Sequence, residues 1–172
     1  MQGTIDVQST PGEGTCFKLT IPLTSLDPDE EPDKIGQKKA PAGELCRGMH
    51  LLVAEDNDLN YEVASELLAL HDVTCDRAED GAICVERFNT AQPFTYNAIL
   101  MDIQMPVMDG LEATMAIRTL EHPQAKSIPI IAMTANAFTD DVNSCMAAGM
   151  NRHMSKPLNI DDLLEVLASY RN

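Results

Sequence analysis

Five side chains carry the chemistry this sequence offers: Glu55, Asp56, Asp102, Thr134 and Lys156. An aspartate after a strand is, by itself, usually no more than a cap. These five share a setting, because each stands where a strand-like run ends. Three carboxylates brought side by side repel one another and push one pKa upward. A hard, oxygen-seeking cation relieves that repulsion, and carboxylates with a backbone carbonyl, water and phosphate oxygens are the usual surroundings of Mg2+. Lys156 adds a mobile point charge suited to phosphate, and Thr134 adds a hydroxyl donor. An ionised carboxylate, a metal, a lysine and a hydroxyl around one point describe phosphoryl transfer onto a carboxylate.

The elements that must position these groups follow from hydrophobic period. Ala98-Ile99-Leu100-Met101 has no polar break before Asp102, as in a strand buried on both faces of a parallel sheet; Met105-Pro106 and a turn at Asp109-Gly110 follow. His50 to Ala54 reads as the first strand, leading through Glu55-Asp56-Asn57-Asp58 to an amphipathic helix with Leu59, Val63, Leu67 and Leu70 on one face. Val73 to Arg77 reads as a second strand, polar enough for a sheet edge, and Asp80-Gly81 turns into a helix carrying Ala82, Val85 and Phe88. A third helix covers about Leu111 to Leu120. Pro129 to Met133 is the fourth strand, its proline at the first position, where a missing donor is tolerated. Phe138 to Ala148 reads as a helix closed by Gly149, and Asn151 to Ser155 as the fifth strand. Asn159 caps a last helix with a stripe of Ile160, Leu163, Leu164 and Leu167, and Asp161 and Asp162 in its first turn suit the helix dipole.

Five strands alternating with helices imply an α/β fold with a doubly wound, five-stranded parallel sheet. The flavodoxin-like order 2-1-3-4-5 is the expected one, with its switch point between the first and third strands. Asp56 and Asp102 then lie side by side in the crevice, and Thr134 and Lys156 point into the same region.

A chain of 172 residues suits one well-buried domain with a tail. Its net charge of −15 argues against a nucleic-acid partner met through a basic face. There is no apolar run long enough to span a bilayer and no signal peptide, so no direct membrane contact is expected and the chain reads as cytoplasmic. Cys16, Cys46, Cys75, Cys84 and Cys145 form no C-x-x-C pair, which suits reduced thiols rather than a metal site.

The first 48 residues differ. Residues 1–23 alternate apolar and polar positions in two runs, Thr4 to Ser9 and Cys16 to Ile21, around Pro11-Gly12-Glu13-Gly14. This is a β-hairpin signature with one face meant for burial, and an isolated hairpin is marginal, so a partner is expected. The run G-T-I-D-V-Q-S-T-P-G-E-G-T-C-F-K-L-T-I-P is similar to the closing hairpin of the ATP-binding domain of sensor histidine kinases. The nucleotide-binding boxes of such a domain, and a helix carrying a phosphoacceptor histidine, are missing, so kinase activity is not expected of this chain. Residues 24–48, rich in proline and charge, read as a flexible tether.

Residues 49–172 resemble the receiver domain of two-component response regulators. The resemblance rests on Glu55-Asp56, D-I-Q-M-P-x-M-D-G from Asp102, Thr134 in M-T-A, and Lys156-Pro157. The run E-D-N-x-x-N-x-x-V-A, with Asn57, Asn60, Val63 and Ala64, looks like receivers attached to hybrid histidine kinases. The resemblance implies that Asp102 takes a phosphoryl group from phosphohistidine to give an acyl phosphate. It implies Mg2+ held by Asp56, Asp102 and the Gln104 carbonyl, with Glu55 acting directly or through water. It implies that Lys156 pairs with the phosphoryl group and that the Lys156-Pro157 bond is cis. Expected partners are a histidine kinase as donor and a histidine phosphotransfer protein, docking near Asn57, Asn60 and Val63, within a parent protein that is a kinase and is membrane-anchored in some members. The chain itself is a signalling domain rather than an enzyme in the ordinary sense.

Gln104 stands where methionine is more usual in the family, which bears on dephosphorylation rate. His153 stands where many receivers carry tyrosine or phenylalanine, a ring that moves inward as Thr134 swings toward the phosphoryl group. Histidine there adds a charge that changes near neutrality. His50, His71 and His122 read as packing or solvent-facing residues. Two other readings compete. A degenerate receiver acting only in docking or dimerisation gains nothing from a clustered charge site. A flavodoxin-like electron carrier would need a Ser/Thr/Gly-rich phosphate loop after the first strand, and none is present.

Overall fold

Period-two alternation near the N-terminus forms a hairpin in the computed structural model of the chain, which describes residues 4–10, 14–20, 42–134 and 139–171. Strands β1 (Thr4–Thr10) and β2 (Gly14–Thr20) pair antiparallel, with Ile5 opposite Leu19 and Val7 opposite Phe17. Opposed residues share a face of a two-stranded ribbon. Ile5, Val7 and Phe17 on that face are 64%, 55% and 67% exposed. This hairpin belongs to one unit, Met1–Lys38; the rest of the chain, Lys39–Asn172, forms a second.

The second unit begins with α1 (Ala42–Cys46), inside the stretch the sequence presents as a tether. Cys46 is fully buried and its thiol donates to the Leu164 carbonyl at 3.3 Å, so the tether reading does not hold for residues 42–48. A five-residue helix has almost no intrinsic stability. It forms because it packs on the final helix, a contact that local composition does not reveal. The remainder of the tether lies outside the described residues.

Then follow β3 (His50–Ala54), α2 (Asp58–Ala69), β4 (Thr74–Ala78), α3 (Gly81–Thr90) and β5 (Ala98–Asp102). After them come α4 (Gly110–Thr119), β6 (Ile130–Thr134), α5 (Thr139–Ala148), β7 (Arg152–Ser155) and α6 (Ile160–Ser169). The strands form a parallel sheet in the order β4-β3-β5-β6-β7, the flavodoxin-like arrangement with β4 at the edge. Phe138, expected to open α5, lies outside the described residues, as does Ala135 of the M-T-A run.

Alternation within the central strands splits the core in two. Leu52, Ala54, Ile99, Met101, Ile130 and Ala132 pack with Cys84 and Phe88 of α3, and Ala113 and Ile117 of α4. Leu51, Val53, Leu100, Ile131 and Met133 pack on the opposite side with Leu68 of α2 and Leu163, Leu164 and Leu167 of α6. Burial on both faces is why β5 and β6 are apolar throughout until their last residue.

One helix presents the wrong face to a sequence reading. In α2 the buried residues are Ala64 and Leu68, while Leu59, Val63 and Leu70 are 67%, 49% and 79% exposed. Two apolar stripes run along this helix, and the sheet accepts the one with the smaller residue, alanine. In α3 the buried residues are Gly81, Cys84 and Phe88, and the half-buried Ile83 and Val85 pack against the same cluster, so of the expected face only Ala82 stays out of the core.

Candidate functional site

The switch point between β3 and β5 opens a crevice at the carboxyl ends of the strands, where α/β sheets bind ligands. Oxygens of Glu55, Asp56 and Asp102 converge there, all within 4.8 Å of one another. Glu55 is 2% and Asp102 7% exposed, while Asp56 is open to solvent. The Lys156 ammonium reaches across from the end of β7 and bridges Glu55 Oε2 at 2.5 Å and Asp102 Oδ2 at 2.6 Å. Thr134 is buried at the end of β6, 6% exposed. The peptide between Lys156 and Pro157 is cis.

Electrostatics follow from this crowding. Burial raises the Asp102 carboxyl above the usual carboxylate range; Lys156 pulls it back, and the neighbouring Glu55 adds to the rise. Burial disfavours the Lys156 ammonium, but hydrogen bonds to Asp102 and Glu55 outweigh that and hold it above the ordinary lysine value. The pair thus looks favourable from the lysine and costly from Asp102. The two short contacts show that it is formed, and the cost falls on Asp102 because a second carboxylate lies beside it. Such a donor set, three hard oxygen ligands around an over-crowded negative centre, fits Mg2+.

The acidic loop is held from several sides. Asn57 caps α2 by accepting from Asn60 N at 3.1 Å, and the Asn60 amide donates to Glu55 Oε1 at 2.9 Å. Asn60, expected on a docking surface, therefore also holds a site carboxylate. Arg77 on β4 donates to the Glu55 carbonyl at 3.1 Å and the Asp56 carbonyl at 2.9 Å. Val63, further along α2, is half exposed and lines a cavity beside the crevice together with Leu59, Glu55 and Lys156. Gln104 is exposed, and its backbone N–H donates to Asp102 Oδ1 at 3.3 Å. His153 is exposed on β7, opposite Ala132 in register.

Both Asp-Gly pairs stand at helix starts, Asp80-Gly81 as expected and Asp109-Gly110 one residue before the expected start near Leu111. Asp80 caps α3 and Asp109 caps α4, the latter in a reciprocal capping box with Glu112. Their glycines serve close approach rather than a left-handed turn. A Cβ on Gly110 would sit 2.1 Å from the Asp102 carbonyl oxygen, and one on Gly81 would sit 2.5 Å from the Met108 carbonyl oxygen. The loop after β5 is thereby clamped between the starts of α3 and α4. Sequence reasoning passed over Gly110 and Gly81 as site-positioning residues, and Arg77 as well; only the DG dipeptides gave any signal.

Residues 51–168 match the family model of the response regulator receiver domain. The peroxide stress-activated histidine kinase mak1 of Schizosaccharomyces pombe is 39% identical over 127 residues, 73% of this chain but 8% of that kinase. Two-component system protein A of Emericella nidulans is 34% identical over 180 residues, 97% of this chain and 25% of that protein. The receiver domain of the sensor histidine kinase PA1611 from Pseudomonas aeruginosa, solved with a magnesium ion coordinated in its active-site cleft, superimposes with a TM-score of 0.64 at 36% identity, covering 72% of this chain and 97% of that domain. Because the family match runs from the strand before the acidic pair through the last helix, the chain belongs to the response regulator receiver domains.

Proposed function

We propose that this domain accepts a phosphoryl group from phosphohistidine on Asp102 and passes it to a histidine phosphotransfer partner. The observation that carries the reading is the Lys156 ammonium held against Asp102 at 2.6 Å beside two further carboxylates, in the crevice at the sheet's switch point. Asp102 Oδ attacks phosphorus in line as the bond from phosphorus to the donor imidazole nitrogen breaks, and the imidazole leaves, taking up a proton from water. Lys156 shifts from its carboxylate contacts to a phosphoryl oxygen, and the Thr134 hydroxyl donates to another. Glu55, Asp56, Asp102 and the Gln104 carbonyl would hold Mg2+. Bound there, the ion neutralises charge developing on the phosphoryl oxygens.

The parent protein we infer is a hybrid histidine kinase, with residues 1–23 a hairpin from its ATP-binding domain and residues 49–172 its receiver. The support is the hairpin's similarity to that family and the 97% of this chain that aligns with the Emericella protein. The partner's helix would approach the crevice mouth beside α2, where Asn57 begins the helix and Leu59 and Val63 leave apolar surface open. Beryllofluoride, which mimics an acyl phosphate, tests the reading. With Mg2+ it should shift amide resonances around Asp102, Thr134 and Lys156 and beyond them along the β6–α5 region. Spectra unchanged by beryllofluoride would refute it.

A further inference from the structure

We propose that Arg77, on the edge strand β4, is a positioning residue that aims the acidic pair at the metal site; this rests on the reading above. The last ladder bond between the two strands is Glu55 N–H to the Ala78 carbonyl, at 3.0 Å. Beyond it the chain leaves the sheet, and the carbonyls of Glu55 and Asp56 have no strand partner to accept from. Backbone acceptors at such a place need another donor. Arg77 supplies it: Nε donates to the Glu55 carbonyl at 3.1 Å and one terminal nitrogen donates to the Asp56 carbonyl at 2.9 Å. Two nitrogens of one rigid guanidinium thus fix the backbone of two successive residues, which sets the direction of both carboxylates.

The guanidinium is itself fixed. Its other terminal nitrogen pairs with Asp58 Oδ1 at 2.6 Å, and its carbon lies 5.2 Å from the centroid of the Tyr61 ring. The Arg77 side chain is 19% exposed, against 92% for that of Asp58. The ion pair to Asp58 is therefore a solvent-screened leg of little energy. The two carbonyl bonds do the positioning. A lysine at 77 keeps the charge but cannot span both carbonyls with a planar fork.

The sign of one measurement separates positioning from charge. Arg77 is a cation beside a cation site, so if charge alone mattered, Arg77→Ala would tighten Mg2+ binding. Positioning demands the reverse, and loss of a group that orients metal ligands typically weakens binding by about 10- to 100-fold. Isothermal titration of the full chain with Mg2+ should show both Arg77→Ala and Arg77→Lys weakened by about tenfold or more. Asp58→Ala should stay within about twofold of wild type, as expected for a screened pair. At saturating Mg2+, labelling by acetyl phosphate should return to the wild-type extent in both Arg77 variants. Thermal melts identify a variant that has lost its fold, in which case Arg77→Lys decides. Arg77→Lys with wild-type affinity, or Arg77→Ala binding as well as or better than wild type, overturns the proposal while the proposed function stands. A wild-type chain that binds no Mg2+ overturns both.

Discussion

Replacing Gly110 by alanine should damage the crevice around Asp102 from outside it. Its Cβ would lie 2.1 Å from the Asp102 carbonyl oxygen and 3.0 Å from the Ile103 Cα. A carbon meets a carbonyl oxygen at about 3.3 Å, so the overlap is roughly 1.2 Å. Both obstacles are backbone, and neither can step aside as a flexible side chain does. Either the end of β5 retreats, moving Asp102, or the start of α4 lifts. Lifting would break the Gly110 N–H bond to the Ile103 carbonyl at 3.0 Å and loosen the Asp109–Glu112 capping box. Overpacking costs about 1–3 kcal/mol, and a clash of backbone on both sides belongs near 3 kcal/mol. That should lower the melting temperature by roughly 10 °C. Gly48→Ala is the control. It has nothing within 4 Å but a φ of +77°, so it should cost about 1 kcal/mol through backbone strain and leave the site alone. Urea unfolding and acetyl phosphate labelling of both variants check this. Gly110→Ala no less stable than Gly48→Ala and labelled like wild type would refute the reasoning.

Three further outcomes are expected. Lys156→Met leaves Glu55 and Asp102 without their cation; removing one partner of a buried pair costs up to about 3–5 kcal/mol, and the partly open crevice brings this to about 2 kcal/mol. Because Mg2+ need not displace the ammonium in that variant, urea unfolding should show the gap to wild type narrowing with Mg2+, and a gap unmoved by Mg2+ would count against the arrangement. The Tyr96 hydroxyl at 2.8 Å, opposed by burial and helped by His50, holds the Asp76 carboxyl below the usual range. A lowered carboxyl pKa contributes stability above the unfolded value and loses it as pH falls through the folded value. Tyr96→Phe should therefore cost about 1 kcal/mol or less near neutrality, Asp76 being 41% exposed, with the gap to wild type closing below about pH 4; a gap constant with pH would exclude an ionised partner. Val63→Glu, at a half-exposed site, should leave stability within about 0.5 kcal/mol of wild type yet slow phosphotransfer to a histidine phosphotransfer protein; unaltered rates would remove α2 as the docking face.

The parallel sheet was legible because burial on both faces leaves a continuous apolar run, and the site because its polar residues end such runs. Four features escaped for physical reasons. The buried face of α2 was ambiguous between Ala64 with Leu68 and the longer stripe from Leu59, since both keep helical period and only the sheet chooses. The helix α1 depends on burying Cys46 against α6, a contact more than a hundred residues away in sequence. Gly110 reads as a turn residue, while its need for a bare Cα arises from the approach of α4 to the end of β5. Arg77 reads as a polar residue on an edge strand, and its role appears only where β3 ends and two carbonyls need a donor.

The central claim is that Asp102 is the phosphoacceptor. Acetyl phosphate with Mg2+, followed by borohydride reduction of the acyl phosphate and peptide mapping, tests it directly. The account predicts a single reduced residue at Asp102, dependence on Mg2+, and no labelling of a folded Asp102→Asn variant. Labelling of Asp102→Asn to the wild-type extent, or a reduced residue elsewhere in the wild-type chain, would contradict it.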